Sequence, residues 1–416
     1  MMWLASRITR SRRARLLLGI LVVSLHLLAF IAQGKLVFNR GFSNGGPPTI
    51  GATAPLHTLA NWRRLVVSSW DSGQYIHVGL RGYSRCPGRE DTKKGDLREL
   101  IQRCNVNFYP TYGWMAMYLK NVARIPPDWG LFLLATLAGI ASVYVMTSRA
   151  IVSAIGQVEA VLAVFLLAIY PSAFYFVAIM TESSLLLTSL GAFVLMRERR
   201  YLLGALVAGM GTALHFRGTG IGIAFGGAVL LSFLTDSPRT RKEIVTRVLA
   251  LPASVWGGLA ICGYFWWKFN DPLLYPHSGN ANRWIPGNSD GTPFFSLGAS
   301  LKLPYAGWLI ILTVLLCALS LRSVMKEFRP QERLYMVLYV AFLSTSLFTR
   351  AGDWLGMSRY LFSIFPFYLF MARTFRGRTA ALGIWTVLSL AQYWYVELCL
   401  FIGFGAANQC IITKYG

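Results

Sequence analysis

Residues 202–234 read LLGALVAGMGTALHFRGTGIGIAFGGAVLLSFL. Two apolar runs, Leu202–His215 and Ile221–Leu234, flank a break at His215-Phe216-Arg217-Gly218-Thr219-Gly220. A bilayer core of roughly 30 Å needs about 20 apolar residues per helix. Paired apolar windows with short polar breaks are how a chain threads back and forth through lipid, where only helices and closed barrels satisfy their own backbone. The windows recur outward from here in both directions, which makes the expected fold class all-α: a polytopic transmembrane helical protein built as one domain over residues 1–416.

Eleven windows are expected to span. They are Leu16–Ala32, Gly130–Met146, Val158–Val177, Ser184–Met196, Leu202–His215, Ile221–Leu234, Ala250–Trp267, Leu303–Leu321, Leu334–Phe348, Tyr360–Ala372 and Ala380–Phe404. The first follows Arg7, Arg10, Arg12, Arg13 and Arg15. No A-x-A site follows it, so it reads as a retained anchor rather than a signal peptide. Residues 33–129 read as an extracytoplasmic loop with an embedded aromatic stretch, Phe108–Lys120, too short to cross and suited to a re-entrant or interfacial helix.

Composition agrees. The 416 residues are 55% hydrophobic and only 14% charged, outside the range of soluble domains. An excess of 40 Lys+Arg over 17 Asp+Glu would suit nucleic acid if it formed one patch, but it falls in short clusters between apolar runs. Such clusters are topology signals. Arg197–Arg200, Arg239–Arg247, Arg322–Arg333 and Arg373–Arg378 are each expected in the cytoplasm. Alternation then puts the long first loop, Thr181-Glu182, the His215–Gly220 break, Asn270–Lys302 and Arg350–Ser358 together on the opposite face.

Six cysteines are scattered without CxxC or metal-ligand spacing, and no metal site is expected. Cys86 and Cys104 share the long loop and read equally well as a disulfide or as two free thiols.

Ionisable groups at helix ends beside a bilayer are functional candidates by default, and nearly all fall on that opposite face. Asp71 sits in Ser69-Trp70-Asp71-Ser72-Gly73-Gln74-Tyr75, Glu182 in Met180-Thr181-Glu182-Ser183, and His215 and Arg217 before Gly218-Thr219-Gly220. Asp271-Pro272 opens the loop holding His277, and Arg359-Tyr360 begins the tenth window. Each has a plainer reading. Asp71 could cap a helix, Glu182 could cap or pair with an Arg, Arg217 and Arg359 could snorkel to lipid phosphates, and His215 and His277 could be structural hydrogen-bonders. Convergence on one face argues for a site. The chain has no GxxxxGK[ST], HExxH or GxSxG, and no GxGxxG after a strand. A proton relay would need carboxylates inside the windows, where Glu397 is the clearest of very few.

A series of motifs appears in order: Trp70-Asp71 with Tyr75-Ile76 and Gly82-Tyr83, Asn107-Phe108-Tyr109-Pro110, Thr181-Glu182-Ser183, Phe216-Arg217-Gly218-Thr219-Gly220, Asn270-Asp271-Pro272-Leu273 with His277, and Arg359-Tyr360-Leu361 with Pro366. From Trp70 to Ala372 the chain resembles the PIG-V family, the GPI mannosyltransferase II group and its prokaryotic relatives, within the GT-C class of membrane glycosyltransferases. The family's common Arg-Pro-Thr-Gly reads Arg217-Gly218-Thr219-Gly220 here.

The resemblance implies inverting transfer of a sugar, mannose foremost, from a polyprenyl- or dolichyl-phosphate donor to a hydroxyl of a glycolipid, glycan or protein acceptor. It requires no cofactor beyond that donor. Asp71 matches the general base. A carboxylate there would take the acceptor's proton, while Arg217 and Arg359, with His215 third, would meet the leaving phosphate. Trp70, Gln74, Tyr75, Tyr109, Glu182, Asp271, His277 and Tyr360 complete the expected substrate-binding set. The chain holds no Asn-X-Ser/Thr sequon, which favours a bacterial or archaeal plasma membrane over the endoplasmic reticulum. A lipid or lipid-linked-sugar transporter and a non-catalytic assembly subunit are the alternatives.

Overall fold

The computed structural model describes residues 2–39, 72–83, 108–236, 240–275, 325–349 and 359–402. Among these the chain is helical and contains no strand. In order the helices are α1 Met2–Arg10, α2 Arg12–Asn39, α3 Ser72–Arg81, α4 Pro110–Ala123, α5 Pro127–Met146, α6 Arg149–Ile155, α7 Gln157–Ala168, α8 Glu182–Arg197, α9 Tyr201–Leu214, α10 Thr219–Thr235, α11 Arg241–Ala253, α12 Trp256–Phe269, α13 Pro330–Thr349, α14 Phe365–Phe375 and α15 Thr379–Ile402. Short 3-10 turns lie at Ala173–Phe176 and Phe216–Gly218.

Among the described residues four segments are long and apolar enough to cross a membrane: Arg12–Gln33, Pro127–Met146, Phe216–Thr235 and Arg241–Phe269. A fifth is added if α6 and α7, bent 107° apart, count as one. Their outward surfaces are apolar: on α2, Leu17, Leu21, Leu25 and Leu28 all lie exposed at helical spacing. In water such a stripe would be costly, whereas against lipid tails it costs nothing.

Several expected windows take a different form. Val158–Val177 is not one helix: α7 ends at Ala168, and residues 170–181 run irregularly before α8 begins. Pro171 accounts for the stop, since it has no N–H to give and disfavours helix in the residue before it. The irregular stretch is wholly buried and closes its own bonds, with the N–H of Ala173 on Tyr170 O, that of Ala178 on Phe174 O, and Ser183 Oγ on Tyr175 O at 2.7 Å. Non-helical backbone is tolerated at membrane depth when buried in protein. Ala250–Trp267 begins earlier than expected, at Arg241, and is interrupted around Ser254 after Pro252. Tyr360–Ala372 breaks at Ser363-Ile364 before α14. The Leu303–Leu321 window lies outside the described residues, as do Cys86 and Cys104.

The 14 residues of α4 extend about 21 Å at 1.5 Å per residue, short of a bilayer core. α4 packs on α3 and α5. The approach to α3 is close because Gly79 and Gly113 face each other: a Cβ on Gly79 would lie 2.6 Å from the Gly113 carbonyl oxygen, inside contact distance.

The four basic loops meet at one end of the bundle. Arg197 pairs with Glu332 at 2.7 Å, and Arg329 pairs with the same carboxylate and donates to Arg197 O. Arg329 and Arg199 also approach Asp236, and Gln331 donates to it at 2.8 Å. Arg247 caps the end of α10, donating to the carbonyls of Ser232 and Asp236 at 2.6 and 2.7 Å. Arg373 and Arg376 both reach Glu159. Loops that are far apart in sequence are thus clamped to each other by buried carboxylates.

The side chain of Glu332 is 0% exposed and that of Arg199 is 60% exposed, which sets the energetic order. Glu332→Gln removes the fully buried carboxylate that Arg197 and Arg329 share, leaving Arg329 only its longer approach to Asp236, and is expected to destabilise the protein by about 3 kcal/mol. Arg199→Gln removes an exposed pair and is expected to leave stability essentially unchanged. Thermal unfolding of the two variants in one detergent measures both.

Candidate functional site

At the opposite end the candidates from distant segments come together. α8 starts at Glu182, and the polypeptide before α14 brings in Arg359, so that Arg359 Nε donates to Glu182 Oε1 in a buried ion pair. Arg359 also sits over the Tyr175 ring, 5.7 Å from its centroid. The neighbouring Tyr360 is buried and lies beneath the guanidinium of Arg217. Arg217, itself half-buried, comes from the 3-10 turn that joins α9 to α10.

That turn is positioned by two local features. His215 Nδ1 accepts the Arg217 backbone N–H at 3.1 Å, so the neutral imidazole carries its proton on Nε2. Gly218 is pressed so closely on α9 that a Cβ would overlap the Gly211 carbonyl. No side chain fits there, and this is the physical reason that glycine stands at this position of the Arg-X-Thr-Gly sequence.

Aromatic rings wall the same end. Tyr109, at the start of α4, stacks on His215 with ring centroids 6.5 Å apart and meets Tyr275 edge-on at 5.3 Å. Tyr275 in turn stacks on Phe216 at 4.7 Å. On α3, Tyr75 is buried with its ring edge-on to Phe108 and Tyr112. Tyr112 donates to Leu131 O at 3.2 Å, and Tyr83 donates to Phe108 O at 2.7 Å. Burial raises the phenol pKa of Tyr83, Tyr109 and Tyr112, and for Tyr112 the neighbouring Tyr75 phenol and the Glu182 carboxylate oppose its ionisation further. All three are hydrogen-bonding neutral groups at physiological pH.

Of the residues expected from sequence, Tyr75, Tyr109, Glu182, His215, Arg217, Arg359 and Tyr360 are linked in this continuous array. Gln74 lies half-buried beside Tyr75 on α3. Asp271 makes a local turn, its Oδ1 accepting the Leu273 N–H at 2.9 Å, and the segment after it carries Tyr275 back to the array. Trp70, Asp71 and His277 lie outside the described residues; Asp71 immediately precedes Ser72, where α3 begins.

Tyr112, Tyr175 and Tyr275 belong to the array and went unrecognised in sequence. Tyr112 stands three residues after Tyr109, spacing that puts two residues on one helix face. Tyr175 follows Pro171, whose presence in an apolar run signalled a break.

The arrangement offers a negative ligand two guanidinium groups, Arg217 over the Tyr360 ring and Arg359 paired with Glu182, together with the N-terminus of the 17-residue α10, which begins two residues after Arg217. Helix N-termini favour anions. No group of three or more His, Cys, Asp or Glu side chains suited to a metal ion occurs among the described residues.

Glu182→Gln and Arg359→Gln each strand the other partner and are expected to cost about 3–5 kcal/mol, while the double variant loses much less than the sum. Strict additivity in a thermal-unfolding cycle would mean the two are uncoupled. Gly218→Ala is expected to abolish a monodisperse peak in size-exclusion chromatography, because the clash is with backbone that cannot move aside. No model of a known protein family matches the chain, and no curated protein matches it.

Proposed function

We propose that the protein is an inverting membrane glycosyltransferase of GT-C type, with about eleven spans, that moves a sugar from a polyprenyl- or dolichyl-phosphate donor to an acceptor hydroxyl on the extracytoplasmic face. The observation that carries this reading is the gathering of Arg217, Arg359 and the α10 N-terminus at the end of the bundle away from the basic loops, beside α3, which begins directly after Asp71. Positive charge among buried tyrosines suits a lipid phosphate with a sugar attached. The apolar outer surface suits a donor that arrives through the bilayer.

In this reaction the Asp71 carboxylate accepts the proton of the acceptor O–H as its oxygen attacks the anomeric carbon. The bond from that carbon to the phosphate oxygen breaks on the opposite side, and its electron pair stays with the lipid phosphate. The phosphate gains a negative charge as it leaves. Arg217 meets that charge, with Arg359 held near it by Glu182 and by the adjoining Tyr360. Fixed cations in a water-poor site stabilise developing charge far more than they would in water. Tyr109, Tyr75 and Trp70 supply ring faces and hydroxyls to the sugar.

The test is purified protein in lipid with a synthetic polyprenyl-phosphate mannose. Release of polyprenyl phosphate is the expected result, since a transporter would leave the donor intact. Asp71→Asn is expected to lower turnover by about 100-fold or more, the usual range for losing a general base. Near-normal turnover would remove Asp71 from the mechanism. Single cysteines beside Asp71 and beside Arg241, in a background without the native cysteines, are expected to react with an impermeant reagent from opposite sides of the membrane.

A further inference from the structure

The array contains two polar atoms for which the mechanism above has no use. Thr181 Oγ1 and Glu182 Oε2 are buried and make no hydrogen bond among the described residues. Thr181 is 0% exposed and Glu182 2% exposed. Thr181 occupies the N-cap position of α8, where a threonine side chain ordinarily accepts a backbone N–H of the first turn, yet it makes no such cap. Glu182 uses Oε1 for Arg359 and leaves the second oxygen unanswered. A buried acceptor without a donor costs about 1–3 kcal/mol, and more when it is charged. Other buried polar atoms are also unanswered, Gln33 and Ser148 among them, but these two are adjacent at one helix end and lie beside the array, where a ligand would supply hydrogens.

The surroundings narrow its chemistry. Arg359 already neutralises the carboxylate on one side. A second cation is therefore not called for, and an anion would meet the carboxylate oxygen itself. What Oε2 lacks is a neutral donor, and Oγ1 can either give or accept. A hydroxyl group fits both. The location fits a sugar: Glu182 lies close enough to Tyr112 to act on it electrostatically. Tyr112 packs on Tyr75 at 5.3 Å, and Tyr75 stands one helical turn after Asp71 in sequence.

We infer that Thr181 Oγ1 and Glu182 Oε2 form a hydroxyl-binding subsite for the transferred sugar, in which Oε2 accepts a hydrogen bond from a ring hydroxyl and Oγ1 pairs with the same hydroxyl or its neighbour. This rests on the glycosyl-transfer reading and deepens it: the pair selects the sugar, while the arginines hold the phosphate. A pocket built to bond a hydroxyl penalises the analogue lacking it, because its own buried polar groups are left unpaired.

The experiment compares polyprenyl-phosphate mannose with a set of donors each lacking one ring hydroxyl, using wild type, Thr181→Val and Glu182→Gln. The readout is the ratio of kcat/KM for parent and deoxy donor within each protein. This ratio cancels any loss of folded enzyme, so destabilisation of Glu182→Gln does not obscure it. Wild type is expected to disfavour one or two of the deoxy donors by at least about tenfold. Both variants are expected to lose that penalty, to within about twofold, while keeping the penalties at the other positions.

If wild type transfers the sugar but both variants keep every penalty unchanged, the subsite is absent, the two atoms hold only water, and the transferase reading stands. If wild type releases no polyprenyl phosphate from any donor, the transferase reading falls and the inference with it.

Discussion

A carboxylate inside an apolar bundle is stable only when another group answers its charge, and the pairing of Glu182 with Arg359, 177 positions apart in sequence, is the constraint on which the rest of the site depends. Isolated, either group would cost several kcal/mol in so dry an environment. Paired, they hold the start of α8 against the segment that leads into α14. Tyr360 is thereby set under Arg217, and the 3-10 turn between α9 and α10 is held from the other side by its fit against Gly211. The geometry of the arginines follows from one ion pair and one close backbone contact.

The charges at the two ends of the molecule do different work. At the basic end Glu332, Glu159 and Asp236 each bind two arginines and tie together loops that are distant in sequence. At the other end Arg359 is paired with Glu182 and Arg217 lies over Tyr360, among buried phenols. These guanidinium groups lie among aromatic rings, where charge interacts at lower effective dielectric than in water. The same buried rings fix hydroxyl groups in space, which is what recognition of a polyhydroxylated ligand requires.

Irregular backbone is a further consequence of this arrangement. Residues 170–181 leave helical form wholly surrounded by protein, where unpaired peptide groups would be costly. The cost is offset by internal bonds such as Ser183 Oγ to Tyr175 O. In return Tyr175 lies against Arg359, and Thr181 and Glu182 stand at the helix end. A continuous helix through Pro171 would carry these side chains around its circumference and disperse them.

What the sequence by itself determined is the helical class, the apolar character of the outer surfaces, and the division of polar groups between two ends. Hydropathy and basic-residue clusters are local properties, and a chain that alternates apolar runs with charged loops has few ways to arrange them. Arg197, Arg329 and Arg373 accordingly meet at one end, and Tyr109, His215, Arg217 and Arg359 at the other. The tertiary structure alone decided which partners those groups take: Arg359 with Glu182, Arg217 with Tyr360, His215 with the Arg217 backbone. It also decided that the run from Val158 to Val177 is broken and that Tyr112 and Tyr175 line the array. Each of these depends on packing between segments distant in the chain, where contact distance and burial, which no local pattern encodes, set the energy of a charge or a hydroxyl.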